Sequence, residues 1–208
     1  AETAFGHLSP ILQNPRAGAV WQGREVRRVK KLEQAHFALA LEGPGYLSDD
    51  YYAAQIFSAA LGGGMSSRLF QKIREERGLC YTIFAQSGFH DDTGMMTIYA
   101  GTGGGDIADL AMLTIDEVRR AAGDISEIEV ARAKAQLRAG LLMGLESPSA
   151  QAERIARVLA IWGRVLDPSE VAQRISDVTL GDVRAHAERL IGRARPALAL
   201  YGPVKTAP

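Results

Sequence analysis

The stretch that decides the fold runs from Phe57 to Tyr81 and reads FSAALGGGMSSRLFQKIREERGLCY. Its three consecutive glycines, residues 62–64, follow a segment with helical patterning, and glycine continues a helix poorly. The next segment places apolar residues on one helical face and ends at Gly78. From Cys80 onwards the residues are typical of a strand. The stretch therefore predicts a helix, a glycine loop, a short helix and a strand, in that order.

The residues before this stretch predict a strand, a turn and the start of the first helix. Apolar side chains recur through residues 25–42 and alternate cleanly over residues 37–41, which indicates one strand with one buried face. Gly43-Pro44-Gly45 then ends this strand as a turn. Ser48 is predicted to cap a helix over residues 49–61.

The residues after the stretch predict a hairpin, then helices, then a final strand. Cys80 to Phe89 and Met95 to Gly101 are β-like runs joined by a short polar connection. The second half carries helix-start signals, such as the capping box of Ser126 and Glu129. The segment PALALYG, residues 196–202, predicts a closing strand. This order predicts an α+β fold, a two-layer sandwich with a mainly antiparallel sheet backed by helices.

The chain of 208 residues is long enough for one domain with a sizeable core, which we place over residues 25–204. Residues 1–24 contain two prolines and three glycines without periodicity, and we interpret them as a connector or N-terminal arm. Residues 205–208 are interpreted as a tail.

Charge and composition argue against two classes of partner. Lys plus Arg and Asp plus Glu each number 24, so the formal net charge is zero. Nucleic acids and anionic membranes are bound by proteins with a basic surplus, so neither is expected as a partner. No apolar run approaches the ~20 residues that span a bilayer. The single cysteine fits a reducing compartment, so we expect a cytoplasmic protein, with the periplasm or an organellar matrix as alternatives.

The histidines do not have the spacing of a metal site. His7, His36, His90 and His186 are all more than four residues apart, so no helix presents an H-x-x-E-H pair. The single cysteine, Cys80, excludes a multi-cysteine metal site. We therefore expect no metal and no cofactor in this chain, and we interpret His186 as a helix-surface residue.

Nucleotide binding is an alternative that the glycines raise. The segment Gly101 to Asp106 lies between a predicted strand and a predicted helix, where a dinucleotide loop would lie. The G-x-G-x-x-G spacing requires glycine at position 106, and an aspartate there would repel a pyrophosphate. Residues 62–67 also lack the lysine of a phosphate-binding loop. A nucleotide site at either loop is therefore not favoured.

The Phe57 to Tyr81 stretch resembles the second-half signature of the pitrilysin and mitochondrial-processing-peptidase family of zinc endopeptidases. The preceding LEQAHFALALEGPG, Leu32 to Gly45, and the closing PALALYG are compatible with it. The resemblance implies two similar α/β halves that face each other. One half carries zinc in an H-x-x-E-H motif, and the other lacks the metal and closes over the peptide. This sequence has no such motif and matches only the zinc-free, inactive half.

The resemblance implies that this half binds and orients an extended peptide substrate in a zinc metalloendopeptidase. The zinc would belong to a homologous partner half, upstream in the same polypeptide or in a separate subunit, and a homodimer is also open. Alone, the chain is expected to bind no zinc and cleave no peptide. The alternative is a catalytically inactive scaffold or assembly subunit of the same family, such as a core subunit of a respiratory complex.

Two residues of the family signature are implied to act at the catalytic site. They are an arginine and a tyrosine seven residues later, which match Arg74 and Tyr81. Gly78 lies between them, so the chain is expected to fold back and bring both side chains to one place. A guanidinium and a phenol are suitable hydrogen-bond donors to a peptide carbonyl that gains negative charge. The alternatives are an ion pair of Arg74 with a neighbouring glutamate and an ordinary strand aromatic at position 81.

The glycine loop has a functional and a structural interpretation. Gly62, Gly63 and Gly64 match a loop that processing peptidases use to admit peptide, which implies a substrate-binding role. Their alternative role is to end the preceding helix. An exposed sheet edge could also hold the peptide by strand addition, which depends on main-chain groups rather than on most side chains.

Overall fold

The computed structural model describes Gly6, residues 17–193 and residues 195–204. Its centre is a five-stranded sheet with the order β1-β5-β2-β4-β3. Pairing is antiparallel except between β1 and β5, which run parallel. The strands are β1 (Glu25–Val29), β2 (Ala35–Gly43), β3 (Cys80–Phe89), β4 (Gly94–Thr102) and β5 (Ala197–Gly202).

Helices cover one face of this sheet. They are α1 (Tyr51–Gly62), a π-helix (Phe70–Glu75), α2 (Ile107–Asp124), α3 (Glu127–Gly144), α4 (Pro148–Trp162), α5 (Pro168–Asp177) and α6 (Leu180–Gly192). The predicted α+β sandwich, with a mainly antiparallel sheet backed by helices, is confirmed.

The hydrophobic core lies between the sheet and the helices. Alternate residues of β2 are buried, and Phe37 pairs in register with Ala100 of β4 and Leu200 of β5 on the covered face. From α1, Ile56 and Phe57 are fully buried against this face. Burying one such side chain stabilises the fold by about 1.5–3 kcal/mol, so α1 is the central helix of the layer.

The single strand predicted over residues 25–42 is wrong, because the structure forms β1 and β2 with residues 30–34 between them. β1 buries none of its residues, and within the described ranges its only strand partner is β5. β5 lies between β1 and β2, so a strand from the end of the domain separates two segments that are close in sequence. Local patterning carries no information about such an insertion.

The connector prediction concerns residues that are only partly described. Residues 17–24 have no regular secondary structure. The amide of Ala19 donates a hydrogen bond to Asp92 Oδ2 at 2.7 Å, and Trp21 Nε1 donates to the carbonyl of Arg195 at 2.8 Å. This segment therefore crosses one end of the sheet. Residues 1–5, 7–16 and the predicted tail 205–208 lie outside the described residues.

Side-chain caps fix most helix starts. The capping box of Ser126 and Glu129 is present, and Thr179 with Asp182 forms a second one. At α1 the predicted cap residue was Ser48, whereas the structure has Asp50 as the N-cap. Ser48 Oγ accepts a hydrogen bond from the Asp50 amide at 3.2 Å. Across the described residues, no helix is long and apolar enough to cross a membrane.

Candidate functional site

β3 is an edge strand, and a groove runs along its second half. In the described part of the chain, β3 pairs with β4 alone, so its outer side has no strand neighbour. The groove has a volume of about 900 Å³ and is lined on the sheet side by residues 85–89. Four helices supply its other walls: α1, α3, α4 and α5. The structure thus places a cavity beside a sheet edge that has no strand partner among the described residues.

Four aromatic side chains gather at the end of the groove near Phe89, and we call them the ring cluster. The Tyr51 ring lies 4.5 Å from Phe89 and 5.7 Å from Trp162, measured between centroids. The Tyr46 ring lies 5.8 Å from Phe89 and 5.9 Å from Trp162. Burial, helped by the neighbouring Tyr52 and Tyr46, raises the pKa of Tyr51 to about 12. The ring cluster therefore presents a neutral, apolar surface at ordinary pH.

Two arginines of α4 line the same groove but have different partners. Arg157 forms an ion pair with Glu153, one helical turn earlier. Arg154 donates from Nη1 to the carbonyl of Leu166 at 3.0 Å, which holds its side chain in place. Its buried Nε has no hydrogen-bond partner among the described residues. The charge of Arg157 is thus locally balanced by a carboxylate, whereas Arg154 forms no ion pair among the described residues and donates to the carbonyl of Leu166.

The glycine loop borders the groove, and its three residues differ in what they require. A Cβ on Gly62 would lie 2.3 Å from the Ala85 amide nitrogen, so only glycine permits α1 to approach β3 this closely. Gly63 lines the groove, and its carbonyl accepts a hydrogen bond from Gln136 Nε2 at 2.5 Å. Gly64 is exposed, and a Cβ added at this position would have only the Gln136 side chain near it among the described residues. The structure therefore places the loop predicted to bind peptide beside the edge of β3.

Arg74 and Tyr81 lie at the other end of β3. The Arg74 guanidinium carbon is 4.4 Å from the centroid of the Phe70 ring, and its Nη1 is 3.8 Å from Glu75 Oε1. The arginine side chain is 39% exposed. Tyr81 is 75% exposed, at a position where the register between β3 and β4 shifts. Both side chains are accessible, and the ion pair proposed as the alternative role of Arg74 is present at long range.

The chain folds back between these two residues as the sequence predicts. Gly78 has a φ of 65°, which favours glycine, and its amide donates to the Arg74 carbonyl at 3.1 Å. Burial raises the pKa of the Cys80 thiol, and the positive charge of Arg74 partly opposes this. The charge of Arg74 therefore acts on Cys80, which is the first residue of β3 and precedes Tyr81 in the chain. Four strand positions, or about 13 Å, separate Tyr81 from Ala85 at the groove.

The histidines that the structure describes form no metal site. His186, predicted to be on the surface, is buried: it packs against Phe57, and its Nδ1 lies 3.7 Å from Asp50. Burial lowers its pKa, and Asp50 opposes this. The prediction failed because α6 turns this face towards α1. Throughout the described ranges, no group of three or more His, Cys, Asp or Glu is placed to hold a metal ion, so these residues do not fit zinc.

Sequence reasoning missed the ring cluster and the unpaired Nε of Arg154. In the sequence, Trp162 shows only the spacing of an amphipathic helix, in one apolar stripe with Ile155, Val158 and Leu159. Tyr46, Tyr51 and Phe89 gave no signal, because they come from a loop, a helix start and a strand end that only the fold brings together. Ser147 followed by Pro148 is a helix-start pattern, and α4, a wall of the groove, begins there.

A family model described as the peptidase M16 inactive domain matches residues 1–137. The chain belongs to this family. The match confirms the resemblance that the sequence stretch indicated. An M16 inactive domain is the zinc-free half of a zinc protease family, which agrees with the lack of a fitted metal group among the described residues.

Relatives of this M16 inactive domain include zinc proteases named as uncharacterized. One from Streptomyces coelicolor is 37% identical over 85% of this chain and 38% of its own length. One from Rickettsia bellii is 34% identical over 98% of this chain and 49% of its own length. The chain thus spans less than half of these relatives.

Solved structures share the fold of this M16 inactive domain. A chain of complex III2 from Candida albicans with Inz-5 bound has a TM-score of 0.81 and 26% identity, over 88% of this chain and 46% of that one. A conserved protein from Enterococcus faecalis V583 has a TM-score of 0.72 and 26% identity, over 86% of this chain and 41% of that one.

Proposed function

We propose that this chain binds and orients an extended peptide substrate as the non-catalytic half of a zinc metalloendopeptidase. The observation that carries the proposal is the edge of β3, which has no strand partner among the described residues, with a groove beside it. An added peptide strand would hydrogen-bond to the outer main-chain groups of β3, and its side chains would enter the groove. This mode accepts many sequences, as a peptidase substrate site must.

The partner is proposed to be a homologous half that carries the zinc. It would lie upstream in the same polypeptide or in a separate subunit. The support is that this chain spans 38% and 49% of two relatives named as zinc proteases, which leaves room for such a half. The histidines of this chain that the structure describes are dispersed, so the metal is assigned to the partner.

Arg74 and Tyr81 are proposed to stabilise the substrate carbonyl in the assembled enzyme. A peptide that lies along β3 from the groove would reach Tyr81 within about four residues, because a strand rises about 3.3 Å per residue. A phenol O–H and a guanidinium N–H could then donate to the carbonyl oxygen as it gains negative charge. Gly62, Gly63 and Gly64 are proposed to admit the peptide to the groove and to let it approach β3 closely.

Amide N-methylation in a labelled peptide tests binding along the β3 edge. A fluorescein-labelled decapeptide is titrated with the chain and followed by fluorescence anisotropy, with one amide at a time N-methylated. Because every second amide of a strand faces its neighbour, one alternating set of methylations should weaken binding about tenfold or more. The other set is the matched control and should bind as the parent does. Equal affinity at all positions would exclude main-chain recognition.

Tyr81→Phe tests the role of the phenol. In the complex with a zinc-bearing half, turnover should fall about tenfold to a thousandfold, because one donor to the developing charge is lost. Tyr201→Phe is the control, since it removes a hydroxyl from β5, on the sheet face opposite the helices. Unchanged turnover in Tyr81→Phe, with an unaltered melting temperature, would remove Tyr81 from the mechanism.

A scaffold role is the second candidate, and the similarity to a complex III2 chain favours it. A scaffold subunit would use the same sandwich for assembly and would have no need of an accessible β3 edge. The same titration separates the two functions. Saturable peptide binding supports the peptidase half, and no binding up to millimolar peptide supports the scaffold.

A further inference from the structure

We infer that the groove beside β3 selects peptides in which a carboxylate lies four residues from an aromatic side chain, with an aliphatic side chain midway. Arg154 would bind the carboxylate, Val158 would contact the aliphatic side chain, and the ring cluster would contact the aromatic one. The inference rests on the proposed function, since it assigns a substrate class to the same groove.

The spacing comes from α4. Arg154, Val158 and Trp162 all line the groove and follow one another at intervals of four residues. Each interval corresponds to about 6 Å along a helix axis, so the three side chains form a stripe about 12 Å long. Alternate side chains of an extended peptide are about 6.6 Å apart. The stripe therefore matches positions i, i+2 and i+4 of a strand.

The sheet side of the groove has the same length and orientation. Residues 85–89 of β3 cover four strand steps, or about 13 Å, beside the groove. Phe89 belongs to the ring cluster together with Trp162, so the end of β3 and the end of α4 lie at the same end of the groove. A peptide added to β3 would thus run along the α4 stripe.

Charge complementarity selects the carboxylate. In the described part of the chain, Arg154 has no carboxylate within ion-pair distance, and its buried Nε has no hydrogen-bond partner. Hydrogen bonds from Ser169 and, to a smaller extent, the charge of Arg154 lower the pKa of the Asp167 carboxyl. Asp167 Oδ1 already accepts those hydrogen bonds, from the Ser169 amide at 2.7 Å and from the Ser169 hydroxyl at 2.6 Å. The neighbouring Arg157 is balanced by Glu153. A guanidinium held beside a peptide groove without a carboxylate favours an acidic side chain and disfavours a basic one.

Matched peptides test the selection without any change in the protein. The labelled parent contains Asp, Leu and Phe at positions i, i+2 and i+4, and its variants carry Asn or Lys at position i. Anisotropy titrations at low salt should show the Asn peptide about tenfold weaker and the Lys peptide weaker still. Moving the Asp by one residue should weaken binding as much as the Asn change, because alternate side chains face opposite sides.

Protein variants then assign the preference to Arg154. Arg154→Gln should bind the Asp and Asn peptides equally, and Arg154→Lys should retain part of the preference. Arg157→Gln is the matched control, and it should keep the full preference because its charge is already paired. Circular dichroism melts check that the loss of the contact with Leu166 leaves the fold intact.

The outcomes separate this inference from the proposed function. If Asp, Asn and Lys peptides all bind equally well, the inference is overturned and the peptide-binding function stands. If no peptide binds, both are overturned. A preference for the Lys peptide would reverse the charge assignment and equally overturn the inference.

Discussion

Among the helices that border the groove, α1 and α4 are held by the fold in very different ways. α1 buries eight of its twelve residues between the sheet and the other helices. α4 buries one of its fifteen, Val158, and leaves Ile155 38% and Leu159 49% exposed. The wall formed by α1 is therefore part of the core. The wall formed by α4 contacts the rest of the domain through Trp162 in the ring cluster, and Arg154 bonds to the carbonyl of Leu166. Such a groove combines a wall that is fixed in the core, α1, with a wall whose local opening costs little free energy, α4.

The largest effect on the free energy of unfolding is expected in α1, the groove wall that belongs to the core. Phe57→Ala in α1 should lower the free energy of unfolding by about 3–5 kcal/mol, because the side chain is fully buried and leaves a cavity. Urea denaturation followed by circular dichroism measures it. A loss below ~1 kcal/mol would mean that α1 is not packed as the structure has it.

A smaller effect is expected where α1 meets β3. Gly62→Ala places a Cβ 2.3 Å from the Ala85 amide nitrogen, so the main chain must shift at a cost of about 1–3 kcal/mol of unfolding free energy. Gly64→Ala is the matched control, since only the flexible Gln136 side chain lies near its Cβ. Thermal melts of the two variants should separate clearly, and equal melting temperatures would contradict the close contact.

The stabilisation by Glu129, which pairs with Arg68 beyond the glycine loop, should depend on pH. Burial opposes the ionisation of Glu129, but hydrogen bonds from Arg68 and Ser126 outweigh it and lower its pKa to about 2. The stabilisation is therefore present above the ordinary carboxyl pKa of about 4.3 and is lost as the pH falls towards 2. Denaturation series from pH 6 to pH 2 should show a shallower decline for Glu129→Gln than for the parent. Parallel declines would assign the acid sensitivity to other groups.

The smallest effect on the free energy of unfolding is expected in α4, the groove wall that buries one of its residues. Leu159→Ala in α4 removes a side chain that is 49% exposed and should change the free energy of unfolding by about 0.5 kcal/mol or less. Urea denaturation beside Phe57→Ala gives the direct comparison. A loss close to that of Phe57→Ala would end the distinction between the two walls.

Most of the order of elements could be predicted because it depends on local signals. The run from Phe57 to Tyr81 contains its own helix stops, and Gly78 adopts the positive φ that a reversal needs. β1, by contrast, could not be told from β2, because its strand partner comes from the C-terminal end of the domain.

The groove could not be predicted because its parts are distant in sequence. Its rings come from Tyr46, Tyr51, Phe89 and Trp162, and no pattern within a helix or strand links them. His186 was misassigned for a related reason, since burial of a helix face depends on which neighbour covers it. The roles of Arg74 and Tyr81 remain predictions.

Hydrogen exchange at the main chain of β3 tests the central claim most directly. Amide exchange rates of the chain are compared with and without a saturating extended peptide, residue by residue, by nuclear magnetic resonance. Slower exchange at alternate, outward-facing amides of residues 85–89 is the predicted result, with the amides that pair with β4 unchanged. Bound peptide that leaves every β3 amide unaffected, and protects another surface instead, would contradict the account.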